Sequence, residues 1–344
     1  MGQLVQQVTD GAGYVFKGGR LLQRCLLSQP FLCNWQVTYR CNFKCSVCSF
    51  WREPHPPAEE LTTDQIQQIA ERLRPLAPLV ISMAGGEPLI RRDLPEIARI
   101  LSADHYFTII TNGWFVTPEL ASRLYDNGLQ DVHVSIDYAT AARQDAQRGC
   151  EGAFDRAVRA LEIFRETRPS RWHRVHIMAV LLDDNLEDLE PLIQLAQRTQ
   201  TSFELSLYSH RRGQKPMRMP RTPVAKRLRE LKAHYPETFV SMDGYLAGFD
   251  RAIEDGAPRC NAGRTFLNID DRGRVSRCID TNDQTVGSLL TEPVDLLLER
   301  LAGQSESDPC RDCWTSCRGF GEVMAGPMGM IRSLPDFYRA VRPL

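Results

Sequence analysis

Short apolar runs alternate with amphipathic stretches along the first two thirds of the chain. The runs predict six β-strands: Leu32–Tyr39, Leu79–Met83, Tyr106–Thr111, Asp131–Asp137, Arg174–Leu182 and Ser202–Ser209. Apolar residues at helical spacing predict the helices Asp64–Leu73, Leu94–Leu101, Pro118–Asp126, Ala153–Glu166, Leu186–Gln197 and Pro223–Lys232. Thr62, followed three residues later by Gln65, predicts a capping box at the start of the first helix. This alternation predicts an α/β fold, either an open doubly wound sheet or a partial barrel.

The strand–helix alternation ends near residue 235. Beyond it, Phe266–Ile269 and Val275–Cys278 flank a glycine-containing turn at residues 271–273, which predicts a β-hairpin. A short helix is predicted to begin near Pro293. The last 25 residues contain several glycines and predict a loop followed by a weak helix. The C-terminal third is therefore expected to be a smaller unit of different construction.

Composition and charge restrict the classes of protein that fit this chain. It has 344 residues, of which 42% are hydrophobic and 25% charged, so it can bury a large core. The 42 basic and 43 acidic side chains nearly cancel, so no overall positive field favours nucleic-acid binding. No run of 18 apolar residues predicts a membrane span, and the N-terminus lacks the pattern of a secretory signal. We therefore expect a cytoplasmic protein.

The chain contains eleven cysteines, and six of them fall into two tight clusters. Cys41, Cys45 and Cys48 form the first cluster, and the second begins at Cys310 and ends at Cys317. Close clusters in a long chain without an export signal are more often metal ligands than disulfides. We therefore interpret both clusters as metal sites.

The first cluster directly follows the first predicted strand. Catalytic residues of strand–helix barrels lie on the loops after the strands, so this position favours a catalytic role. Three thiolates can hold three corners of a 4Fe–4S cubane and leave one iron with an open coordination position. A structural zinc site completed by a distant ligand is the alternative.

The pattern C-x3-C-x2-C after a first strand resembles the signature of the radical S-adenosylmethionine (SAM) superfamily. The resemblance covers roughly residues 32–210 and implies a partial (β/α)6 barrel of the TIM type. It also implies that SAM binds the open iron and is cleaved reductively to methionine and a 5′-deoxyadenosyl radical. A reductant such as flavodoxin or ferredoxin would supply the electron.

Further elements of the superfamily follow in order at the ends of later strands. In members of the superfamily, residues at such positions contact SAM. The residues that the resemblance assigns to the SAM site are Gly85, Gly86, Glu87, Thr111, Asn112, Ser135, Asp137 and Arg148. Glu87 would meet the methionine ammonium of SAM, and Arg148 its carboxylate. One departure is Val47, where many relatives have an aromatic residue near the adenine.

The C-terminal cysteines resemble the SPASM and Twitch extensions of radical SAM enzymes, which bind auxiliary Fe–S clusters. Cys260 and Cys278 bracket the predicted hairpin, and a C-x2-C pair follows at Cys310 and Cys313. The resemblance implies one auxiliary 4Fe–4S cluster held by these four residues, with Cys317 as a substitute for Cys313. A structural zinc ribbon is the alternative.

These patterns divide the chain into four parts. The predicted parts are an amphipathic N-terminal extension (1–31), the radical SAM barrel (32–235), the auxiliary-cluster domain (236–325) and a C-terminal tail (326–344). The extension mixes basic and apolar residues, which fits either a helix packed on the barrel or peripheral contact with a membrane surface.

A basic loop after the sixth predicted strand bears on the charge of the substrate. Arg211, Arg212 and Lys215 lie at the expected rim of the active site. Their charges suggest an anionic substrate, and a solvated basic loop is the alternative. The function expected first is oxidation or radical bond formation on a small-molecule or lipid-like substrate. The alternative is a SPASM-type maturase that modifies a ribosomal peptide or a protein side chain. Only about 40 residues precede the first cysteine cluster, too few for the leader-binding domain of many peptide maturases, which weakly favours the first substrate class.

Overall fold

A computed structural model describes residues 17–52, 55–215, 218–258, 260–307 and 309–341. The strands are β1 (Leu32–Thr38), β2 (Val80–Gly85), β3 (Tyr106–Thr111), β4 (Leu129–Ser135), β5 (Arg174–Leu181), β6 (Ser202–Leu207), β7 (Phe266–Ile269), β8 (Arg274–Ser276) and β9 (Gly287–Ser288). The helices are α1 (residues 17–26), α2 (Thr63–Leu73), α3 (Leu94–Ser102), α4 (Pro118–Asp126), α5 (Ala141–Arg148), α6 (Ala153–Thr167) and α7 (Leu189–Arg198). They continue with α8 (His210–Gly213), α9 (Ala225–His234), α10 (Asp243–Ala247), α11 (Phe249–Glu254), α12 (Val294–Ser307), α13 (Ser316–Met324) and α14 (Gly326–Val341).

The strands form a single sheet in the order β6-β5-β4-β3-β2-β1-β7-β8-β9. The first six strands are parallel and lie beside their neighbours in chain order. A doubly wound sheet reverses its strand order part-way through its strand–helix repeats, whereas the six strand–helix repeats here follow one another without a reversal. The ends at β6 and β9 are not paired with each other, so the barrel stays open. The predicted partial barrel is confirmed.

Side chains on the barrel strands alternate between an apolar outer face and a polar inner face. On β4, Val132 and Val134 are fully buried in the hydrophobic core, whereas Asp131, His133 and Ser135 occupy the alternate positions. Because successive residues of a strand point to opposite sides, the polar set faces the concave interior. The interior of the barrel is therefore lined by groups that can bind polar ligands.

The hairpin lies where it was predicted, but it is joined to the barrel sheet. β7 pairs in parallel with β1, and Asn34 lies opposite Asn268 in this register. β8 then runs antiparallel to β7, and β9 antiparallel to β8. The second edge of β1 thus gains hydrogen-bond partners instead of remaining exposed.

The weak helix predicted at the C-terminus is present as α14, but the loop predicted before it is wrong, because that segment lies in α13. Its glycines are needed for packing: a Cβ at Gly319 would lie 1.8 Å from the Tyr245 ring. The amide of Ser316 donates to Ser206 Oγ on β6 (3.2 Å), and Cys317 Sγ contacts Asn34 Oδ1 on β1 (3.2 Å). α13 therefore contacts both the first and the last strand of the six-stranded barrel, β1 and β6.

Helix α1 packs against the barrel through buried Leu21 and Cys25. Lys17 Nζ donates to the carbonyl of Ser102 at 2.9 Å, which ties the helix to the end of α3. Residues 1–16 of the N-terminal extension lie outside the described residues. Among the helices that the structure describes, none has the length and apolar character needed to cross a bilayer.

Candidate functional site

The loop from Cys41 to Cys48, here called the cluster loop, leaves the C-terminal end of β1. Two segments hold it: the amide of Glu87 donates to Arg40 O (2.9 Å), and the amide of Ser46 donates to Gln147 O (2.8 Å). All three of its thiols lie in one small group that also contains the buried Phe43 ring and Ala153. The loop is therefore fixed between the end of β2 and the C-terminus of α5.

Two glycines permit β2 to approach this loop. Gly85 has φ +127°, and a Cβ there would lie 2.1 Å from Thr38 O. A Cβ at Gly86 would lie 2.0 Å from Arg40 O. Contacts this short with backbone atoms exclude any side chain, so only glycine allows the close approach. The predicted motif residues 85–87 are thereby brought against the cluster loop.

Glu87 is buried, and its carboxylate is held by the end of β3. Thr111 Oγ1 donates to Oε1 at 2.7 Å, and the amide of Asn112 donates to Oε2 at 2.7 Å. Burial raises the pKa of Glu87 to about 7, although these hydrogen bonds favour the carboxylate. Asn112 Nδ2 also donates to Asn42 Oδ1 in the cluster loop at 2.9 Å. Thr111 and Asn112 therefore orient Glu87 and the loop.

Arg148, at the end of α5, lies between a carboxylate and a cluster-loop thiol. Its guanidinium is 2.7 Å from Asp137 Oδ2 and 3.9 Å from Cys45 Sγ. Asp137 also accepts hydrogen bonds from Gln147 Nε2 and the amide of Val180, both at 2.8 Å. Asp137 Oδ2 thus pairs with Arg148 while Oδ1 is held by β5, so this residue positions the guanidinium.

Ser135 and Val47 occupy the part of the barrel next to this group. The Ser135 carbonyl accepts from Gln144 Nε2 at 3.2 Å, and Ser135 lies opposite Met178 in the sheet register. Val47 packs in a cluster with buried Tyr138, Leu182 and Tyr208. Aromatic rings from the barrel therefore surround the position where an aromatic loop residue was expected.

Sequence reasoning missed two residues of this arrangement, Gln144 and Gln147. Gln144 Oε1 accepts from the amides of Asp137 (2.9 Å) and Tyr138 (3.1 Å), which shapes the end of β4. Both glutamines lie on α5, a helix that the apolar pattern did not predict because its buried positions are polar. The Arg148-Gly149 pair, with Gly149 left-handed at φ +64°, was the available signal for its end.

The residues of the cluster loop fit a three-thiolate metal centre with SAM beside it. Burial raises the pKa of the Cys41 thiol to about 12, so a bound metal must displace a proton there. Glu87 lies near Cys41 and Arg148 lies near Cys45, so groups of opposite charge flank the thiols, which suits a metal and a zwitterionic ligand. When bound, the cluster and SAM would supply reductive cleavage to a 5′-deoxyadenosyl radical.

A second cysteine group surrounds a cavity beside the hairpin, here called the auxiliary cavity. Its wall includes five cysteines: Cys260, Cys278, Cys310, Cys313 and Cys317. The amide of Cys260 donates to Cys310 O at 3.1 Å, which joins two of the segments. All eleven cysteines of the chain are free thiols, so these five are available as ligands.

Four of these cysteines are associated more closely than the fifth. Burial raises the pKa of Cys260, Cys278 and Cys313 to about 12, and each is raised further by another cysteine of this set. Arg211 lies near both Cys278 and Cys310. Cys317 instead contacts Asn34 and lies beside Arg212. The described contacts of Cys317 thus differ from those of the other four cysteines, although all five line the same cavity.

The basic loop does not present its arginines as free cations. Arg211 pairs with Asp312 at 2.6 Å, and Arg212 pairs with buried Asp280 at 2.9 Å. The Arg212 pKa is raised because Asp280 and the nearby cysteines outweigh its burial. Lys215 lies two residues beyond α8 and is partly buried. The two arginines of this predicted rim are therefore tied to the auxiliary cavity and would have to leave their partners to bind an anionic substrate.

Comparison with known proteins decides the family. A model of the radical SAM superfamily matches residues 35–196. Mycofactocin maturase MftC from Mycolicibacterium smegmatis is 31% identical over 288 residues, which are 82% of this chain and 69% of that protein. The chain belongs to the radical SAM superfamily. The resemblance inferred from the cysteine pattern is thus confirmed.

Other radical SAM proteins match the chain over different extents. An AdoMet-dependent heme synthase from Methanosarcina barkeri is 33% identical over 173 residues, so the match covers about half of each chain, 50% and 48%. The crystal structure of Streptococcus suis SuiB bound to precursor peptide SuiA has a TM-score of 0.65 at 16% identity and covers 93% of this chain and 76% of SuiB. The structure of anSMEcpe with bound AdoMet and Cp18Cys peptide has a TM-score of 0.62 at 17% identity, covering 90% and 96%. These two structures share the fold.

Proposed function

We propose that this radical SAM enzyme is a maturase that modifies a peptide. The observation that carries the proposal is that two MftC maturases match over 288 and 312 residues, whereas the heme synthase and two further MftC proteins match over 173. The longer matches are too long to be confined to the barrel, whose six strands end at Leu207. The sequence alone favoured a small anionic or lipid-like substrate, and the comparisons favour the alternative.

The fold supports the same substrate class. Two structures with this fold, those of SuiB and anSMEcpe, hold peptides. In this chain the inner face of the barrel is polar, and the arginines that suggested an anionic substrate are paired with Asp312 and Asp280. A polar interior suits the amide groups of a peptide, because each buried amide needs a hydrogen-bond partner.

For the SAM site, we propose that Cys41, Cys45 and Cys48 hold a 4Fe–4S cluster. The support is their common position in the cluster loop and the absence of a fourth cysteine from the motif, which leaves a position for SAM. Glu87 would accept the SAM ammonium, and Arg148, oriented by Asp137, would face the SAM carboxylate.

Around SAM, the remaining predicted residues have supporting roles. Gly85 and Gly86 would bring backbone groups against the methionine moiety, and Ser135 would direct its hydroxyl towards the ribose. Thr111 and Asn112 would act through Glu87, whose carboxylate they hold. These roles follow from their contacts and from the superfamily resemblance.

For the auxiliary cavity, we propose one 4Fe–4S cluster ligated by Cys260, Cys278, Cys310 and Cys313. Four thiolates complete the coordination of a cubane, so this cluster would have no open position for substrate. Electron transfer or structural support is the role that fits a closed site.

The decisive experiment begins with SAM cleavage. The anaerobically reconstituted enzyme is incubated with SAM and dithionite, and 5′-deoxyadenosine is measured by liquid chromatography. We expect product formation that depends on reductant. Its absence, in protein with full iron content, overturns the proposed radical activity.

The substrate class is tested by isotope transfer. Deuterated synthetic peptides encoded beside the gene and deuterated Fe-coproporphyrin III are supplied separately to the reconstituted enzyme. Deuterium from a peptide should appear in 5′-deoxyadenosine, since the radical abstracts hydrogen from its substrate. Label transfer from the porphyrin and from no peptide would contradict the maturase assignment and favour a function related to the heme synthases.

A further inference from the structure

Three metal-ligating side chains meet inside the barrel, apart from both cysteine groups. They are His133 on β4, His176 on β5 and Glu204 on β6, and one ligand atom from each lies within 4.8 Å of the others. The three strands are adjacent and parallel. The group is therefore created by the sheet itself rather than by a flexible loop.

The strand register explains why these residues converge. His133 lies directly opposite His176, and Glu204 lies opposite Met178, two residues further along β5. His133 and Ser135 both point into the barrel, because they lie on either side of buried Val134 and successive strand residues point to opposite faces. The two imidazole rings are stacked with centroids 4.7 Å apart and an interplanar angle of 12°.

One buried ring nitrogen of the group lacks a hydrogen-bond partner. Among the described residues, none lies within hydrogen-bond distance of Nδ1 of His176, whose side chain is only 4% exposed. Glu204 approaches them with its two oxygens, at 3.3 Å from His133 Nδ1 and 3.8 Å from His176 Nδ1. Buried polar atoms normally have partners, so this group is incomplete as a set of hydrogen bonds.

Two further charged residues face the group, Asp131 and Arg174. They offset each other in charge, and the amide of Arg174 donates to Asp131 Oδ1 at 3.0 Å. The Arg174 guanidinium is held by Ser202 Oγ at 2.6 Å and by the carbonyl of Arg339 at 3.3 Å. It is therefore anchored by other partners on β6 and α14.

The geometry points to a mononuclear metal site in which His133, His176 and Glu204 bind one divalent ion, Zn²⁺ or Fe²⁺. Two imidazoles and one carboxylate form a donor set used by catalytic zinc and by non-haem iron. Three protein ligands leave at least one coordination position for water or for an oxygen atom of a ligand in the barrel. This site does not depend on the proposed peptide substrate or on radical chemistry.

Cobalt(II) is the probe for this site. It is added to the oxidised, fully cluster-loaded enzyme, because oxidised 4Fe–4S cubanes are silent in EPR whereas high-spin Co²⁺ is not. We expect about one Co²⁺ per chain, displaced by Zn²⁺, and nitrogen hyperfine couplings that change when the protein is labelled with ¹⁵N-histidine. Failure to bind Co²⁺, or binding without histidine couplings, overturns the site and leaves a His133–Glu204 ion pair.

Substitutions supply the matched comparison. His176→Gln should weaken Co²⁺ binding roughly hundredfold, whereas His234→Gln, which alters an exposed histidine on α9, should leave it unchanged. Equal affinity in both variants would contradict the assignment. If His176→Gln does not fold, the ¹⁵N couplings of the unaltered enzyme decide the question by themselves.

Discussion

The cluster loop and the auxiliary cavity both gather cysteines, but the chain builds them in different ways. The first takes three thiols from eight consecutive residues, Cys41 to Cys48, and surrounds them with Glu87 and Arg148. The second collects five thiols from segments between Cys260 and Cys317. Three thiols leave one iron of a cubane without a protein ligand, so a site with charged groups beside them can accept an outside ligand. A site with four or more thiols can supply every ligand itself.

The most severe test of this comparison removes one thiol from the cluster loop. Cys45→Ala should abolish SAM cleavage, because the loop has no spare ligand for the cluster. The measurement is 5′-deoxyadenosine formed per enzyme under dithionite. Cys150→Ser, which alters a cysteine packed against the same loop, is the control and should retain activity. Full cleavage by Cys45→Ala with an intact auxiliary cluster would refute the assignment.

The auxiliary cavity should respond differently to single substitutions. In a background lacking the first cluster, Cys313→Ser should lose the auxiliary EPR signal and about four iron atoms per chain. Cys317→Ser should retain both, because this thiol contacts Asn34 rather than the other cysteines. The reverse pattern would make Cys317 the ligand and Cys313 the spare.

The close approach of β2 to the cluster loop can be tested with one methyl group. Gly86→Ala places a Cβ 2.0 Å from a backbone oxygen, so the two segments must separate at a cost of about 3 kcal/mol. SAM affinity measured by calorimetry should fall by roughly a hundredfold or more. Gly303→Ala, on α12 with no atom within 4 Å of the new Cβ, should leave affinity unchanged. A normal affinity in Gly86→Ala would show that the approach is not needed.

Removing the charge of Glu87 should weaken SAM binding less than the Gly86→Ala substitution does. Glu87→Gln retains the volume but loses a charge-assisted contact of about 1.5–3 kcal/mol. SAM should therefore bind roughly 10- to 100-fold more weakly, while iron content stays the same. Iron analysis and calorimetry on the same preparation check both statements, and unaltered affinity would remove Glu87 from the SAM site.

The smallest expected effect is a dependence of SAM affinity on pH. Because the pKa of Glu87 is about 7, the group is protonated at lower pH. It must then lose that proton before it can pair with the SAM ammonium. Affinity should be highest above that pKa and fall by up to about tenfold per pH unit below it. In Glu87→Gln this dependence should disappear. The same slope in both proteins would assign it to another group.

Local patterns predicted much of the fold because they depend on neighbouring residues. The capping box at Thr62 and Gln65 is present, with both of its hydrogen bonds. The six barrel strands lie within about two residues of their predicted positions. Both kinds of signal depend on side-chain spacing over one element, which the printed sequence contains in full.

Contacts between distant segments could not be predicted in this way. α13 was missed because Gly319 and Gly321 resemble loop residues, although they make room for Tyr245 and Phe266. The pairing of β7 with β1 and the bond from Arg148 to Asp137 depend on the folded sheet. The His133–His176–Glu204 group was missed for the same reason, since its members are separated by 43 and 28 positions in the chain.

Strand β1 has a consequence for communication between the two cysteine groups. The cluster loop leaves one end of this strand, Asn34 near its other end contacts Cys317, and β7 leads from its edge towards Cys278. Arg212 lies close to Cys48 of the cluster loop and to Cys317 of the auxiliary cavity. Electron-tunnelling rates fall steeply with the distance between donor and acceptor, so the rate between the two proposed clusters would depend on how rigidly this strand connects them. Because β1 is paired with β2 on one edge and with β7 on the other, it would hold the cluster loop and the hairpin that carries Cys278 in a fixed relation.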